Sequence, residues 1–168
     1  MHGQTLLEKA QPKSPAKCDL TIRDAPALLG MRLGMSLEET KRAAPNQEFS
    51  RRIRKANGVS TSLSSKPTEE AGGVVNSFLD DKLFEIDILY SSAKNWDNTT
   101  EFIREFSRIF NLPEDAWEKK ASGNRYSINC QGFTIVAIDK NHIILSDANV
   151  GAESRKRTDE IAVVKNNN

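Results

Sequence analysis

The chain has 168 residues, of which 38% are hydrophobic and 28% are charged, and it has no apolar run of about 18 residues, so the sequence predicts no membrane span. Its 24 Lys and Arg nearly balance its 23 Asp and Glu. The net charge of +1 excludes a broad attraction to nucleic acid or anionic lipid and leaves nucleic acid an unfavoured partner.

Residues 1–17 are predicted to form a flexible tether, because Gln, Lys, Pro and Ser dominate them and the apolar core of a signal peptide does not occur. Such a segment is typical of an exported protein after signal removal and equally of a disordered tail on a cytosolic protein. Both compartments stay open on this evidence. Alternating polar and apolar residues then predict a short strand or an extended lead-in over 18–22.

Two glycines precede the first predicted helix, and they pose a choice between a phosphate-binding loop and a helix entry. Gly30 and Gly34 are separated by three residues with no lysine after them, so they lack the spacing and side chains of a P-loop. Ser36 with Glu39 is a capping box, which predicts a helix over 37–44 that the following proline ends. We interpret the glycines as a turn into this helix.

Two antiparallel hairpins are predicted next. Asn57-Gly58 separates polar, β-branched runs at 49–55 and 59–64, and this dipeptide favours a two-residue turn. A second pair of runs covers 74–79 and 83–90. In the latter run apolar residues alternate with acids, which is typical of a strand with one wet face.

The wet face of that strand is the candidate interaction surface, formed by Leu83, Glu85, Asp87 and Leu89. Exposed leucines among charges can mark a protein interface, although a second core layer would bury the same leucines equally well. These acids and the preceding Asp80-Asp81 pair are also candidates for a metal or acid-base cluster. A turn and a solvated strand face explain them better.

The clearest helix is predicted over 99–110, because its large apolar residues fall on one stripe, and Asn98 caps its start. Three strands follow, over 125–131, 133–138 and 143–145.

These elements predict an α+β fold in one domain over 18–147. It consists of an antiparallel β-sheet with the helices 37–44 and 99–110 packed on one face. Residues 148–168 are expected to form a loosely attached C-terminal tail, whose apolar run 161–164 pairs at a sheet edge.

Two short basic runs are candidate sites for an acidic partner. The first is an anion-binding patch of Arg51, Arg52, Arg54 and Lys55, and the second covers 155–157. Nucleic-acid modules usually interleave exposed aromatic residues with their basic ones, and few aromatic residues lie near these two runs. A charged edge strand that discourages aggregation explains the first run at least as well.

The two cysteines, Cys18 and Cys130, fit no metal-binding or CxxC spacing. A disulfide between them would close most of the chain into one loop and require an oxidising compartment, whereas two separate thiols, with Cys130 buried as a small hydrophobe, are an equal alternative. His142 is the histidine outside the tether, and a turn position explains it. A thiol nucleophile with this histidine as its base stays open as an alternative chemistry.

The stretch from Gly34 to Thr40, GMSLEET, leads into a short helix followed by antiparallel strands. It resembles the opening of the small bacterial outer-membrane-assembly lipoproteins of the BamE (SmpA/OmlA) family and of the wider group that shares the fold of the β-lactamase inhibitory protein. The resemblance implies a helix layer on an antiparallel sheet that binds other proteins, and it transfers no catalytic residue.

We therefore expect a non-catalytic module that binds another protein and uses no cofactor, in the periplasm or another extracytoplasmic part of a bacterial cell envelope. One alternative is a small thiol-dependent enzyme with a cleft near Cys130 and His142. The other is a cytosolic module that binds an acidic partner through the basic runs.

Overall fold

The fold is built on one eight-stranded antiparallel sheet. The computed structural model describes residues 17–54, 60–92, 96–121 and 123–166, and within them the strand order is β1-β2-β3-β4-β8-β7-β6-β5. The strands are β1 (Phe49–Arg54), β2 (Ser60–Ser65), β3 (Ala71–Leu79), β4 (Lys82–Tyr90), β5 (Glu118–Lys119), β6 (Arg125–Asn129), β7 (Phe133–Ile138) and β8 (His142–Asp147). Three helices accompany the sheet, and the predicted α+β class is confirmed.

The predicted hairpins are confirmed as strand pairs. In the β3–β4 hairpin, Asp80 and Asp81 both have positive φ, 49° and 60°, which is the geometry of a type I′ turn and matches the right-handed twist of the strands. The β1–β2 pair lies where the sequence predicts it. The Asn57-Gly58 turn itself lies outside the described residues.

Helix α1 (Leu37–Ala43) begins at the predicted capping box. Ser36 Oγ accepts the backbone N–H of Glu39 at 3.2 Å, and Glu39 Oε2 accepts the N–H of Ser36 at 2.8 Å. A third acceptor comes from far along the chain, because Asp81 Oδ1 accepts the N–H of Leu37 at 3.2 Å. The β3–β4 turn therefore helps to fix where this two-turn helix starts.

Helix α2 (Thr99–Phe110) has the predicted bounds. Asn98 accepts the N–H of Glu101 at 3.0 Å, and the left-handed Asn111 ends the helix. The chain after the helix folds back on it, since the Trp117 indole N–H donates to Ser107 Oγ at 2.9 Å.

The main core lies between one sheet face and the two helices α1 and α2, as predicted. Leu37 of α1 and Phe102 and Phe106 of α2 are buried in it. The sheet contributes aliphatic side chains at alternate positions, including Val74, Ile86, Ile88, Ile128, Ile135, Ile143 and Leu145.

Residues 148–166, expected as a loose tail, form the helix α3 (Ala148–Asn166). The expected pairing of 161–164 at a sheet edge is wrong, because these residues lie within the helix. The helix packs by small residues: Gly151 and Ser154 are buried, and a Cβ on Gly151 would lie 4.0 Å from the Phe84 ring. Arg157 binds both oxygens of Asp80, at 2.8 and 3.1 Å.

Of the two alternatives predicted for residues 18–22, the short strand is wrong, because these residues form no strand. The Asp24 carboxylate accepts the N–H and hydroxyl of Thr21, each at 2.8 Å, which turns the chain into a short 3-10 helix (Ile22–Asp24). An isolated bridge joins Thr21 to Gln131, between β6 and β7, and there the N–H of Gln131 donates to the Leu20 carbonyl at 2.8 Å.

Candidate functional site

A β-bulge in β4 decides which side chains reach the sheet face opposite the core. The register shifts between Ser77, which pairs with Glu85, and Phe78, which pairs with Leu83, so Phe84 is an extra residue in β4. The alternation of β4 therefore changes at this point. Leu83 turns to the core with 1% exposure, while Glu85 takes the opposite face.

Leu83 is consequently wrong as a member of the candidate interaction surface. Backbone hydrogen bonds of Leu83 hold the bulge in place. The Leu83 N–H donates to the Met35 carbonyl, and the Leu83 carbonyl accepts from the Gly34 N–H, each at 2.7 Å. The chain entering α1 thus lies along this end of β4. Simple alternation through 83–90 misses the switch.

The remaining predicted residues share a face with side chains of three other strands. Strand register aligns two rows there, Leu89–His142–Ile138 and Val75–Asp87–Ile144–Val136. We call these seven residues the open face. Helix α3 packs on the same side of the sheet but at the end marked by Phe84 and Ser60, which leaves the open face uncovered by it.

The open face combines exposed aliphatic groups with a fixed polar pair. Leu89 is 44% exposed and Val75 is 41% exposed, while Ile144 and Val136 are half-buried. Valine and isoleucine on the wet side of a strand can be recognised from sequence alternation, but the strand pairs that join them to Leu89 follow only from the strand order.

The polar pair is Asp87 with His142. Their Oδ1 and Nε2 atoms are 2.7 Å apart, and the hydrogen bond that Asp87 accepts raises the pKa of His142 above its usual value of 6.5. His142 is the first residue of β8 rather than a residue of the turn. Glu85, in the neighbouring row, accepts hydrogen bonds from Ser77 and Ser146, each at 3.4 Å.

Beside the open face, a basic cleft of about 370 Å³ lies over β6 and β7. Arg125 and Lys120 line it together with Asn129. On this sheet face the acids lie on β4 and the bases lie toward β5, and the aliphatic side chains of β8 and β7 lie between them. This polarity depends on the pairing of β5 with β6, for which the sequence carries no local signal.

The two cysteines form a disulfide with an S–S distance of 2.01 Å. This bond contradicts the thiol-enzyme alternative, because the Cys130 sulfur is not a free nucleophile. The structure also separates the two residues expected to share that cleft. Cys130 lies next to the start of β7 and His142 pairs with its end, about 17 Å away at the rise of an extended strand.

The basic runs are placed differently from each other. Arg51, Arg52 and Arg54 lie on the edge strand β1, and Lys55 lies outside the described residues, so the anion-binding patch stays a prediction. In the second run, Arg157 is engaged by Glu153 at 2.8 Å as well as by Asp80.

The two glycines before α1 serve the turn and its packing. Gly30 has φ of 84°, and a Cβ there would lie 2.3 Å from the Ala43 carbonyl oxygen. Gly34 has φ of 87°. The carboxylates Asp80 and Asp81 have the structural partners described above, and among the described residues no group of three His, Cys, Asp or Glu could hold a metal ion.

Within the described part of the chain, no helix has the length and apolar character needed to cross a membrane. Comparisons with protein-family models, with curated proteins and with solved structures give no significant match, so the resemblance of the GMSLEET segment to the BamE family stays a prediction.

Proposed function

We propose that the chain is a non-catalytic binding module that recognises another protein through the open face, in an oxidising, extracytoplasmic compartment such as a bacterial cell envelope. The observation that carries this proposal is the pair of cross-strand rows with exposed Leu89 and Val75 at their ends. A partner suited to this face presents an aliphatic side chain flanked by charged groups.

The apolar part of the open face supplies affinity in this proposal. Leu89 and Val75 lie on neighbouring strands, and each exposes about two fifths of its surface. Complete burial of a leucine or valine side chain contributes about 1.5–3 kcal/mol. Covering the exposed two fifths of both side chains therefore contributes roughly 1.2–2.4 kcal/mol at the centre of an interface.

The charged part supplies orientation. The Asp87–His142 pair is held in place before binding, and Arg125 lies on the opposite side of the aliphatic rows. Charges arranged around an apolar centre mainly fix the register of a partner and suppress wrong ones.

The disulfide supports the proposed oxidising compartment. Such bonds form and persist in oxidising compartments, and Cys18–Cys130 spans 112 residues of sequence. In the test, cells of the source organism are quenched with acid, which stops thiol exchange. The protein is then unfolded without reductant and its reactive thiols are counted. We expect no reactive thiol, and two reactive thiols would place the protein in a reducing compartment.

The binding proposal is tested by Leu89→Asp. The immobilised protein is exposed to an envelope extract, any captured protein is purified, and its affinity is then measured by calorimetry. We expect the variant to weaken binding at least about tenfold, since it removes one leucine anchor and adds a charge.

The matched control is Val163→Asp, which changes an exposed aliphatic residue on α3, 59% exposed and outside the open face. It should leave the affinity unchanged. Equal affinities of the wild type and Leu89→Asp for the purified partner would refute the open face as the binding surface.

A further inference from the structure

A second, separate pocket lies on the helix side of the sheet. It has a volume of about 150 Å³ and is formed where α2 meets the end of β4. Its wall is largely aromatic: Tyr90, Trp96, Phe102 and Phe106 contribute to it. A pocket of this volume matches the engineered cavity size that accepts a benzene molecule.

The aromatic rings of this pocket hold one another in fixed orientations. Tyr90 meets Trp96 edge-on at 5.9 Å between centroids and Phe102 at 6.0 Å, and Trp96 lies 4.6 Å from Phe102. The indole N–H of Trp96 donates to a Glu105 carboxylate oxygen. This hydrogen bond places negative charge at the N–H edge of the indole and increases the electron density of its ring.

An acid stands at the mouth of the pocket. Glu70 lines it and is exposed, and none of the described residues forms an ion pair with its side chain. Its charge acts on the pocket, because burial and then Glu70 raise the pKa of Tyr90 to about 12. None of the described lining residues is basic.

A strained residue completes the wall. Leu29 lines the pocket and has φ of 51°, a left-handed conformation that is uncommon for a bulky residue. The tight turn that holds it is closed by two hydrogen bonds of 2.9 Å between Leu28 and Met31. This turn fixes the position of Leu29 in the wall of the pocket.

We propose that this pocket binds the quaternary ammonium group of a small organic cation, with the aromatic wall around the methyl groups and Glu70 beside the charge. Aromatic rings attract a cation through their negative faces, most strongly when water is excluded. A primary ammonium would need acceptors for three N–H donors, whereas a quaternary group needs none and fills the volume better. This site is independent of the open face and of the partner proposed for it.

The first experiment is a titration with choline in which two-dimensional NMR records the shift of the Trp96 indole N–H signal. Its neutral isostere, 3,3-dimethyl-1-butanol, has the same shape without the charge. We expect a choline Kd of about 1 mM and binding of the isostere at least about tenfold weaker. Equal binding of the two compounds, or no choline binding below about 50 mM, would overturn the proposal.

The charge is tested by Glu70→Gln, with Glu69→Gln as the matched control. Both glutamates are exposed and adjacent in sequence, but Glu69 does not line the pocket. Glu70→Gln should weaken choline binding at least about fivefold and Glu69→Gln should leave it unchanged. Equal effects of the two variants would show attraction to general surface charge and would overturn the site.

A third probe separates the quaternary group from a lysine-like one. n-Butylammonium has the chain and head of a lysine side chain, and we expect it to bind more weakly than choline. Tighter binding of n-butylammonium would overturn the choice of a quaternary cation and assign the pocket to a lysine side chain of a protein.

Discussion

Removal of the Cys18–Cys130 disulfide should strongly destabilise the fold. The perturbation is the double variant Cys18→Ala/Cys130→Ala, which removes the bond that closes a segment of 112 residues. Alanine is chosen because Cys18 is buried at 3% exposure and a polar replacement would add a desolvation cost of its own.

The magnitude follows from the length of the closed loop. In the loop-entropy model, a loop of this length lowers the entropy of the unfolded chain by about 16 cal/mol/K, or about 4.8 kcal/mol at 25 °C. For a domain of this size the same loss lowers Tm by about 10–20 °C. Because the unfolded chain also becomes less compact without the cross-link, the urea m-value should rise.

The assay is urea unfolding of the wild type and the double variant, each with and without a reductant. Reduced wild type should approach the variant, and the variant should not respond to the reductant. A loss below about 1 kcal/mol together with an unchanged m-value would refute the loop-entropy reasoning.

Three further variants probe local features of the fold. Gly30→Ala places a Cβ 2.3 Å from the Ala43 carbonyl oxygen and should lower the free energy of urea unfolding by more than about 2 kcal/mol. Gly34→Ala, with open space around it, should lower that free energy by about 1 kcal/mol. Equal losses of stability in the two variants would refute the steric argument. Asp81→Ala removes the acceptor for the Leu37 N–H and should cost about 1 kcal/mol, and no loss would show that water replaces it. Since Asp87 raises the pKa of His142, protonated His142 stabilises the folded state; that contribution is complete below the unfolded pKa near 6.5 and is lost as pH rises through the folded pKa. The stability difference between wild type and His142→Asn should therefore shrink from about pH 5 to pH 8, and a difference that grows would contradict the sign.

Local patterns in the sequence predict the elements whose signal is large and repeated. The apolar stripe of α2 gives its bounds, and the Ser36–Glu39 capping box gives the start of α1. Both signals act within one helix, where side chains three or four positions apart share a face. They therefore need no knowledge of the sheet.

Elements fixed by distant contacts were harder to predict. Helix α3 has no apolar stripe, because it meets the sheet through Gly151 and Ser154. A search for periodic large apolar residues therefore does not predict that interface. Simple alternation places Leu83 on the wrong face, because the bulge at Phe84 depends on the chain near Met35. The disulfide and the open face likewise depend on which strands become neighbours.

The strand order has a consequence for how the protein folds. Strands β1 to β4 form one meander and β5 to β8 another, so nearly all strand pairs join neighbours in sequence. The exception is β4 with β8, which brings together segments as distant as Glu85 and Ser146. Closing that long loop costs entropy before the contacts are gained. We expect this seam to limit the folding rate.

The same seam couples the two meanders. Across it, Ile86 pairs with Leu145 and Ile88 with Ile143, and all four side chains are fully buried. Opening either meander alone would expose this apolar strip to water, so the halves are expected to unfold together as one cooperative unit. Amide hydrogens of β4 and β8 should accordingly exchange only through global unfolding.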